Sequence, residues 1–317
     1  MIGKDIEIAQ KYLQEGALVG IPTETVYGLA GNALNPEAVA AIFKTKQRPS
    51  FDPLIVHCDS IEKVKAYTSE FPEMAEQLAK TFWPGSLTMI LPRSEQIHDL
   101  VTSGLDTVAV RIPRHAFTLE LLSKLDFPVA APSANPFGFV SPTTAAHVEQ
   151  HLGHLIPYVL DGGACEVGVE STIVGFPDGV PTVYRKGGIS VEDIEAVIGN
   201  VVVREHSSSQ PTAPGMLKKH YSPGIEMHIV EDIQEALVSF EGQKIATVTL
   251  DKSVEDLPEE QQFLLSPSGD LSEAARNLFQ TLRTLHEVQP DVILVELVPE
   301  KGLGLAINDR LRRAAAK

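Results

Sequence analysis

The stretch from Pro22 to His57 constrains this chain most, because it sets a strand, a turn, a helix and a second strand in one short order. The apolar run Ala17–Ile21 reads as a buried strand. Pro22 stops it, and Thr23, Thr25 and Tyr27 place hydroxyls in the turn beyond. Open α/β sheets take ligands at such carboxyl ends of buried strands. Asn35-Pro36-Glu37 then starts a helix, with an N-cap asparagine, proline at the first helical position and an acid in the first turn. Val39, Ile42 and Phe43 line its buried side. The helix leads into Lys44, Lys46 and Arg48, then Pro49 and a short strand, Leu54–His57. Cations at this spacing, pinned by a proline, suit a polyphosphate better than a helix, which would spread them around its circumference.

Later strand ends keep supplying polar groups. Ser60 caps a helix, and another runs from about Glu73 to Thr81. Phe82-Trp83-Pro84-Gly85-Ser86 turns into strand Leu87–Leu91, with Trp83 read as core packing. Thr107–Pro113 alternates with period two, so Thr107, Ala109 and Arg111 share a face. An arginine inside a strand is either on an exposed face or a ligand anchor. Val129–Asn135 runs into a small-residue turn that offers Ser133 and Asn135. Ser141-Pro142 reads as a helix start whose free amides and positive end suit a phosphate. His147 and His151 form an i,i+4 pair, but no third ligand is placed, so they read as a solvated helix face. Ser171 leads a buried strand. Strand Thr182–Arg185 ends in two cations and glycines, which fit either a phosphate or a solvated hairpin end. Ser190 caps the next helix, and Val201–Val203 closes a first domain.

The length of 317 residues permits two domains, and 43% hydrophobic residues permit real cores. Residues 205–223 have a linker's composition, except for Lys218, Lys219, His220 and Tyr221 between prolines. Strands and helices then alternate over 224–317, as in a small parallel-sheet domain. Gly302-Leu303-Gly304 reads as a turn, and the basic end (Arg310, Arg312, Arg313, Lys317) as a complement to the last helix's dipole. Residues 1–204 carry 15 Lys and Arg against 24 Asp and Glu, and the remainder 11 against 18. Neither part is basic, which argues against bulk electrostatic binding to nucleic acid. Two cysteines make no disulfide framework, and Cys58 reads as a packed thiol. With no signal-peptide pattern and no membrane-length apolar run, a cytoplasmic location is expected.

Within 1–204 the strand ends offer hydroxyls (Thr23, Thr25, Ser133, Ser141, Ser171), cations (Lys46, Arg48, Arg111, Arg185) and His57, without an evident nucleophile–base pair. Such a site suits nucleotidyl transfer, where positioning and charge stabilisation dominate.

Two segments together, P-T-E-T-V-Y-G-L at Pro22–Leu29 and K-x-R-P-x-x-D-P-L-x-V-H at Lys46–His57, resemble the YrdC-like family of threonylcarbamoyl-AMP synthases. The S-x-N turn followed by S-P-T and the V-E-S-T-I-V segment resemble the same family, and the H-Y-x-P of the linker resembles the interdomain segment of its longer members. The resemblance implies an open twisted mixed sheet with flanking helices over 1–204, a linker at 205–223 covering the site, and a smaller Rossmann-like parallel α/β domain at 224–317. It implies synthesis of threonylcarbamoyl-AMP and pyrophosphate from L-threonine, bicarbonate or CO2, and ATP with Mg2+, to supply the tRNA threonylcarbamoyl-transferase machinery that modifies adenosine 37. By the same resemblance Thr25, His57, Arg111, Ala131 and Ser171 hold threonine, with Arg111 on its carboxylate. Lys46, Arg48, Thr107, Ser133, Asn135, Ser141, Arg185 and Tyr221 meet ATP, and Lys46 and Arg48 hold the triphosphate. Asp52 stands where the family often has Asn, and an aspartate donates no amide hydrogen bond. Its contact with nucleotide or metal stays open. Two other readings stay open too: a module binding double-stranded RNA, and a carbamoyl-transfer enzyme, although the zinc-binding cysteine motifs of the latter are absent.

Overall fold

The strands of the first two thirds of the chain pair into one eleven-stranded mixed sheet in the computed structural model, which describes residues 1–204, 220–255 and 257–316. In chain order they are β1 (Ile2–Gly3), β2 (Val19–Ile21), β3 (Gly28–Asn32), β4 (Ile55–His57), β5 (Leu87–Pro92), β6 (Thr107–Arg111), β7 (Val129–Ala130), β8 (Tyr158–Leu160), β9 (Thr172–Gly175), β10 (Thr182–Arg185) and β11 (Val202–Val203). Their spatial order is β1-β8-β2-β3-β7-β4-β6-β5-β9-β10-β11. Parallel pairs such as β4 with β6 mix with antiparallel ones such as β5 with β6. Helices flank this sheet. A second sheet holds β12 (Glu226–Val230), β13 (Ile245–Thr249), β14 (Gln262–Leu264) and β15 (Val292–Glu296) in the order β12-β15-β13-β14, all parallel. Among the described residues no helix is long and apolar enough to cross a membrane.

Local chemistry sets most helix ends. Asn35 caps helix Pro36–Lys46 by accepting from the amides of Glu37 and Ala38. Val39 and Ile42 of that helix are buried, and Lys46 is buried with them. Ser60 and Ser190 cap their helices in the same way. Trp83 is buried and donates its indole N–H to the Leu87 carbonyl at 2.7 Å.

One helix start differs from expectation. The helix is Ala145–Leu152, and its N-cap is Thr144, which accepts from the amide of His147. The run Ser141-Pro142-Thr143-Thr144 offers several caps, and the Ser141 hydroxyl is taken by a carboxylate instead. Ser141 therefore presents no helix end to a phosphate.

Loop residues of the first part join the core of the second sheet. Val26, Val140 and Val169 of the first part pack with Tyr221, Leu278, Phe279 and Leu282 of the second. Helix Leu271–Val288 lies so close that a Cβ on Gly168, whose φ is +80°, would strike the backbone of Ala275 and Arg276. Arg283 of this helix donates to the carbonyls of Val140 (2.5 Å) and Ser141 (3.4 Å).

Two sequence readings change here. His147 and His151 are half-buried rather than solvated, and His151 packs 4.6 Å from Phe139. Burial, then the nearby Arg283, pushes both down to a pKa of about 4. Arg310 and Arg313 of the final helix, Gly304–Ala314, are buried; Arg310 reaches Glu170 of the first domain and Arg313 lies over Tyr221, rather than only complementing the helix dipole. The linker reading falls mostly on residues 205–219, which lie outside the described residues, as does Lys317.

Candidate active site

The pairing of β4 with β6 sets the centre of the site. In this parallel pair His57 is the register partner of Arg111, and Ile55 of Ala109. Register partners point to one face, so His57 and Arg111 stand side by side. The backbone of β7 passes alongside β4, with the Ala131 amide on the Ile55 carbonyl at 3.0 Å. A cavity of about 50 Å3 lies against this face. Its wall includes Arg48, His57, Arg111, Ala131, Ser133, Ser171, Arg185 and Tyr221 from the sequence reading. It also includes Thr23, Glu170 and His220.

Arg111 is held from below. Its Nε donates to the Gly85 carbonyl at 3.1 Å and its Nη2 to Glu24 Oε1 at 2.7 Å. Glu24 also accepts from Ser86 Oγ (3.0 Å) and from the Arg114 amide (3.0 Å). Burial raises the Glu24 pKa, but the charge and hydrogen bond of Arg111 outweigh it and hold it below the ordinary value. The buried His57 ring faces the Ile55 carbonyl through Nδ1 at 3.2 Å. A carbonyl only accepts, so Nδ1 carries the proton and Nε2 is left as an acceptor. Burial, then Arg111, pushes His57 down to about 3, so it is neutral at physiological pH.

A second set of bonds joins β9 and β10. Arg185 donates from Nε to the Ser171 carbonyl and from Nη2 to Ser171 Oγ, both at 3.0 Å. Ser171 Oγ and Thr88 Oγ1 lie 2.7 Å apart. Glu170 Oε1 accepts from Ser141 Oγ at 2.7 Å, and Oε2 from Arg310 Nε at 3.1 Å. Burial raises the Glu170 pKa, yet Arg310, Arg185 and the Ser141 hydrogen bond hold it low. Tyr221 has φ +66° and is buried; its ring stacks on Phe279 and lies under the Arg313 guanidinium, 4.7 Å from its centroid.

Several expected residues take other places. Thr107 begins β6, while Arg111 ends it; the threonine lines a different cavity with Ile90, Phe176 and Tyr184. A strand advances about 3.3 Å per residue, so sharing a face does not bring Thr107 to the site. Lys46 does not line the cavity: its Nζ donates to the carbonyls of Ser133 and Asn135, at 2.5 Å each, and braces that turn from behind. Burial, then Arg48, lowers its pKa well below the ordinary value. The Thr25 hydroxyl is buried against Thr23 Oγ1 at 2.8 Å, and Thr23 faces the cavity instead. Asn135 donates to the carbonyls of Pro136 and Phe139 within its own turn. Asp52 pairs with Arg48 at 2.9 Å, so it orients a cation of the wall. Among the described residues no three His, Cys, Asp or Glu side chains gather as a metal cage.

Sequence reasoning missed Glu24, Glu170 and Arg310. A signal existed for the acids: each is a lone carboxylate among buried hydroxyl and apolar residues, and burying a charge demands a cation. Arg310 carried none, since its partner is 140 residues away.

Comparison with known proteins places this site in context. A family model described as "Telomere recombination" matches residues 11–187, and one described as "Threonylcarbamoyl-AMP synthase, C-terminal domain" matches 189–316. A threonylcarbamoyl-AMP synthase of Pyrococcus abyssi is 44% identical, with 98% of this chain and 94% of the relative covered. One of Bacillus subtilis is 40% identical over 98% of this chain and 93% of its own. The crystal structure of P. abyssi Sua5 complexed with L-threonine superposes with a TM-score of 0.93 at 42% identity, covering 99% of this chain and 97% of that one.

Proposed function

The chain belongs to the threonylcarbamoyl-AMP synthase family, and from that premise we propose that it is a nucleotidyltransferase joining L-threonine, bicarbonate or CO2, and ATP. The convergence of Arg48, Arg111 and Arg185 on one cavity carries this reading, because three guanidiniums match a substrate set rich in carboxylate and phosphate. Threonine lies over β4 and β6. Arg111, fixed on two sides by Gly85 and Glu24, meets its carboxylate. Neutral His57 accepts at Nε2 from the amine or hydroxyl, and Ser171 and Ala131 line the remainder. The threonine amine takes up CO2 to form a carbamate. A carbamate oxygen then attacks the α-phosphorus, the bond to the β-phosphate oxygen breaks, and pyrophosphate leaves. Arg48 and Arg185 stabilise the charge that shifts onto the phosphate oxygens. Mg2+ enters as part of the ATP complex, held chiefly by the phosphates, as that ion commonly is. The product supplies the transferase that modifies adenosine 37 of tRNA.

Pockets for drug-sized ligands run to roughly 300–1,000 Å3, so the cavity of about 50 Å3 has to widen before ATP enters. His220 and Tyr221 form the part of the wall at the end of the interdomain segment, and their movement is the proposed gate. The test is pyrophosphate release from MgATP and bicarbonate, with and without L-threonine, in the intact chain and in Arg111→Ala. Strict dependence on threonine, lost in the variant, is expected. Release that ignores threonine would falsify the reading.

A further inference from the structure

The reaction as described uses only groups of the first domain, yet one carboxylate of the cavity wall is held from the second. Glu170 is a carboxylate lining the cavity where an anionic nucleotide is to bind. It is almost fully buried, and among the described residues the cation hydrogen-bonded to it is Arg310 of helix Gly304–Ala314. Arg310 is itself fully buried and forks. Nε holds Glu170, while Nη1 donates to the Lys186 carbonyl at 2.7 Å and to Asp309 at 2.8 Å. The two segments it joins already touch: the Gly188 amide donates to the Glu170 carbonyl at 2.9 Å, and a Cβ on Gly187 would strike the backbone of Glu170, Ser171 and Thr172. These segments carry Ser171 and Arg185. Glu170 in turn receives the Ser141 hydroxyl.

We propose that Arg310 is a positioning residue for the nucleotide: it neutralises Glu170 and clamps the 170–172 and 185–188 segments, so that the wall facing ATP carries no uncompensated negative charge. The proposal deepens the synthase reading and rests on it. Two physical terms support it. A buried carboxylate that loses its hydrogen-bonded cation is left under-compensated beside the incoming phosphates, with only the Arg185 charge and the Ser141 hydroxyl to hold it. Lysine, with one ammonium in place of a fork, cannot hold Glu170 and the Lys186 carbonyl in the same geometry.

The test uses the full chain and reads MgATP binding by titration calorimetry, alongside KM for ATP and for threonine. Arg310→Met is expected to weaken ATP binding about tenfold or more, through the stranded charge, and to raise the KM for threonine by a clearly smaller factor, through Ser171 of the clamped segment. Adding Glu170→Gln to that variant removes the stranded charge and is expected to restore most of the ATP affinity. A strut of purely structural importance would move both KM values together and would not be relieved in this substrate-selective way; either result overturns the proposal. If Arg310→Met does not fold, Arg310→Lys takes its place, with a several-fold rise in KM for ATP, clearly larger than that for threonine, expected, and an unchanged value overturning the idea. Because ATP binding is read without turnover, an intact chain that binds ATP but releases no pyrophosphate refutes the synthase reading and leaves this comparison standing. An intact chain that binds no ATP refutes both.

Discussion

Glu170 lines the cavity and Glu24 holds Arg111, which lines it too; each is a buried carboxylate paired with an arginine, at 3.1 and 2.7 Å. Glu24 is held from within its own sheet: Arg111 ends β6, Arg114 follows β6, and Ser86 precedes β5. Glu170 is held across a domain boundary, by a helix 140 residues further along the chain. The first pair forms as soon as the large sheet forms. The second requires the domains to dock. Half of the site is thus built by strand register and half by interdomain packing, and the two halves should fail under different insults.

The largest expected effect is on the first half. Glu24→Ala leaves the Arg111 guanidinium buried without its carboxylate, which should lower stability by about 3–5 kcal/mol. Urea unfolding measures this, and a loss below about 1 kcal/mol would break the contrast, since that is the scale of an exposed pair. The second half is best struck at Gly168, where positive φ and the adjoining helix backbone both exclude a side chain. Gly168→Val should cost about 1–3 kcal/mol in backbone strain alone. It should also split the calorimetric transition, with the 226–316 part melting first; a single cooperative transition at a lower temperature would contradict separable docking.

Acid offers a gentler separation of the two halves. His147 and His151 are held neutral at the interface, with pKa values of about 4 against an ordinary 6.5, facing Arg283 and His286 of the second domain. Their folded pKa is depressed, so the unfolded chain takes up protons first as pH falls. Their contribution is whole above about 6.5 and is lost between there and about 4. Glu24, also depressed but from an ordinary 4.5, keeps its contribution until pH falls below about that value. His57 of the first sheet, pushed down to about 3, draws on the same window, so calorimetry from about pH 7 to about pH 4.5 should weaken both parts, with docking, which carries two such histidines, losing more. An equal loss in both parts would erase the distinction. The smallest effect is expected from Asn35→Ala, which removes the cap of the helix carrying Lys46 and should cost about 1 kcal/mol. Threonine-dependent pyrophosphate release should survive it; if that were lost too, the cap would be supporting more than its own helix.

Much of the first half was legible in the sequence. The turn after Pro22, the cap at Asn35 and the strand arginine at 111 all follow from residue types at short spacing, and all stand in the structure. Where the reading went astray, a side chain met a partner far away in the chain. Lys46 looked like a phosphate ligand but is buried on two carbonyls of the Ser133–Asn135 turn. Ser141 looked like a cap but meets Glu170. Thr107 shares the face of Arg111 but not its end of the strand. Arg310 and Arg313 looked like a solvated basic terminus because nothing near them in sequence demands burial.

What the sequence determined by itself was local: where helices begin, which runs become strands, and which turns carry hydroxyls and cations. Those outcomes rest on backbone dihedral preferences, caps and apolar periodicity, which act within a few residues. The tertiary structure decided which of those groups share a cavity. Setting His57 beside Arg111 needed the register of two strands more than fifty residues apart, and compensating Glu170 needed a second domain to bring Arg310 against it. Both are choices among distant partners, settled by packing and by the cost of leaving a buried charge alone.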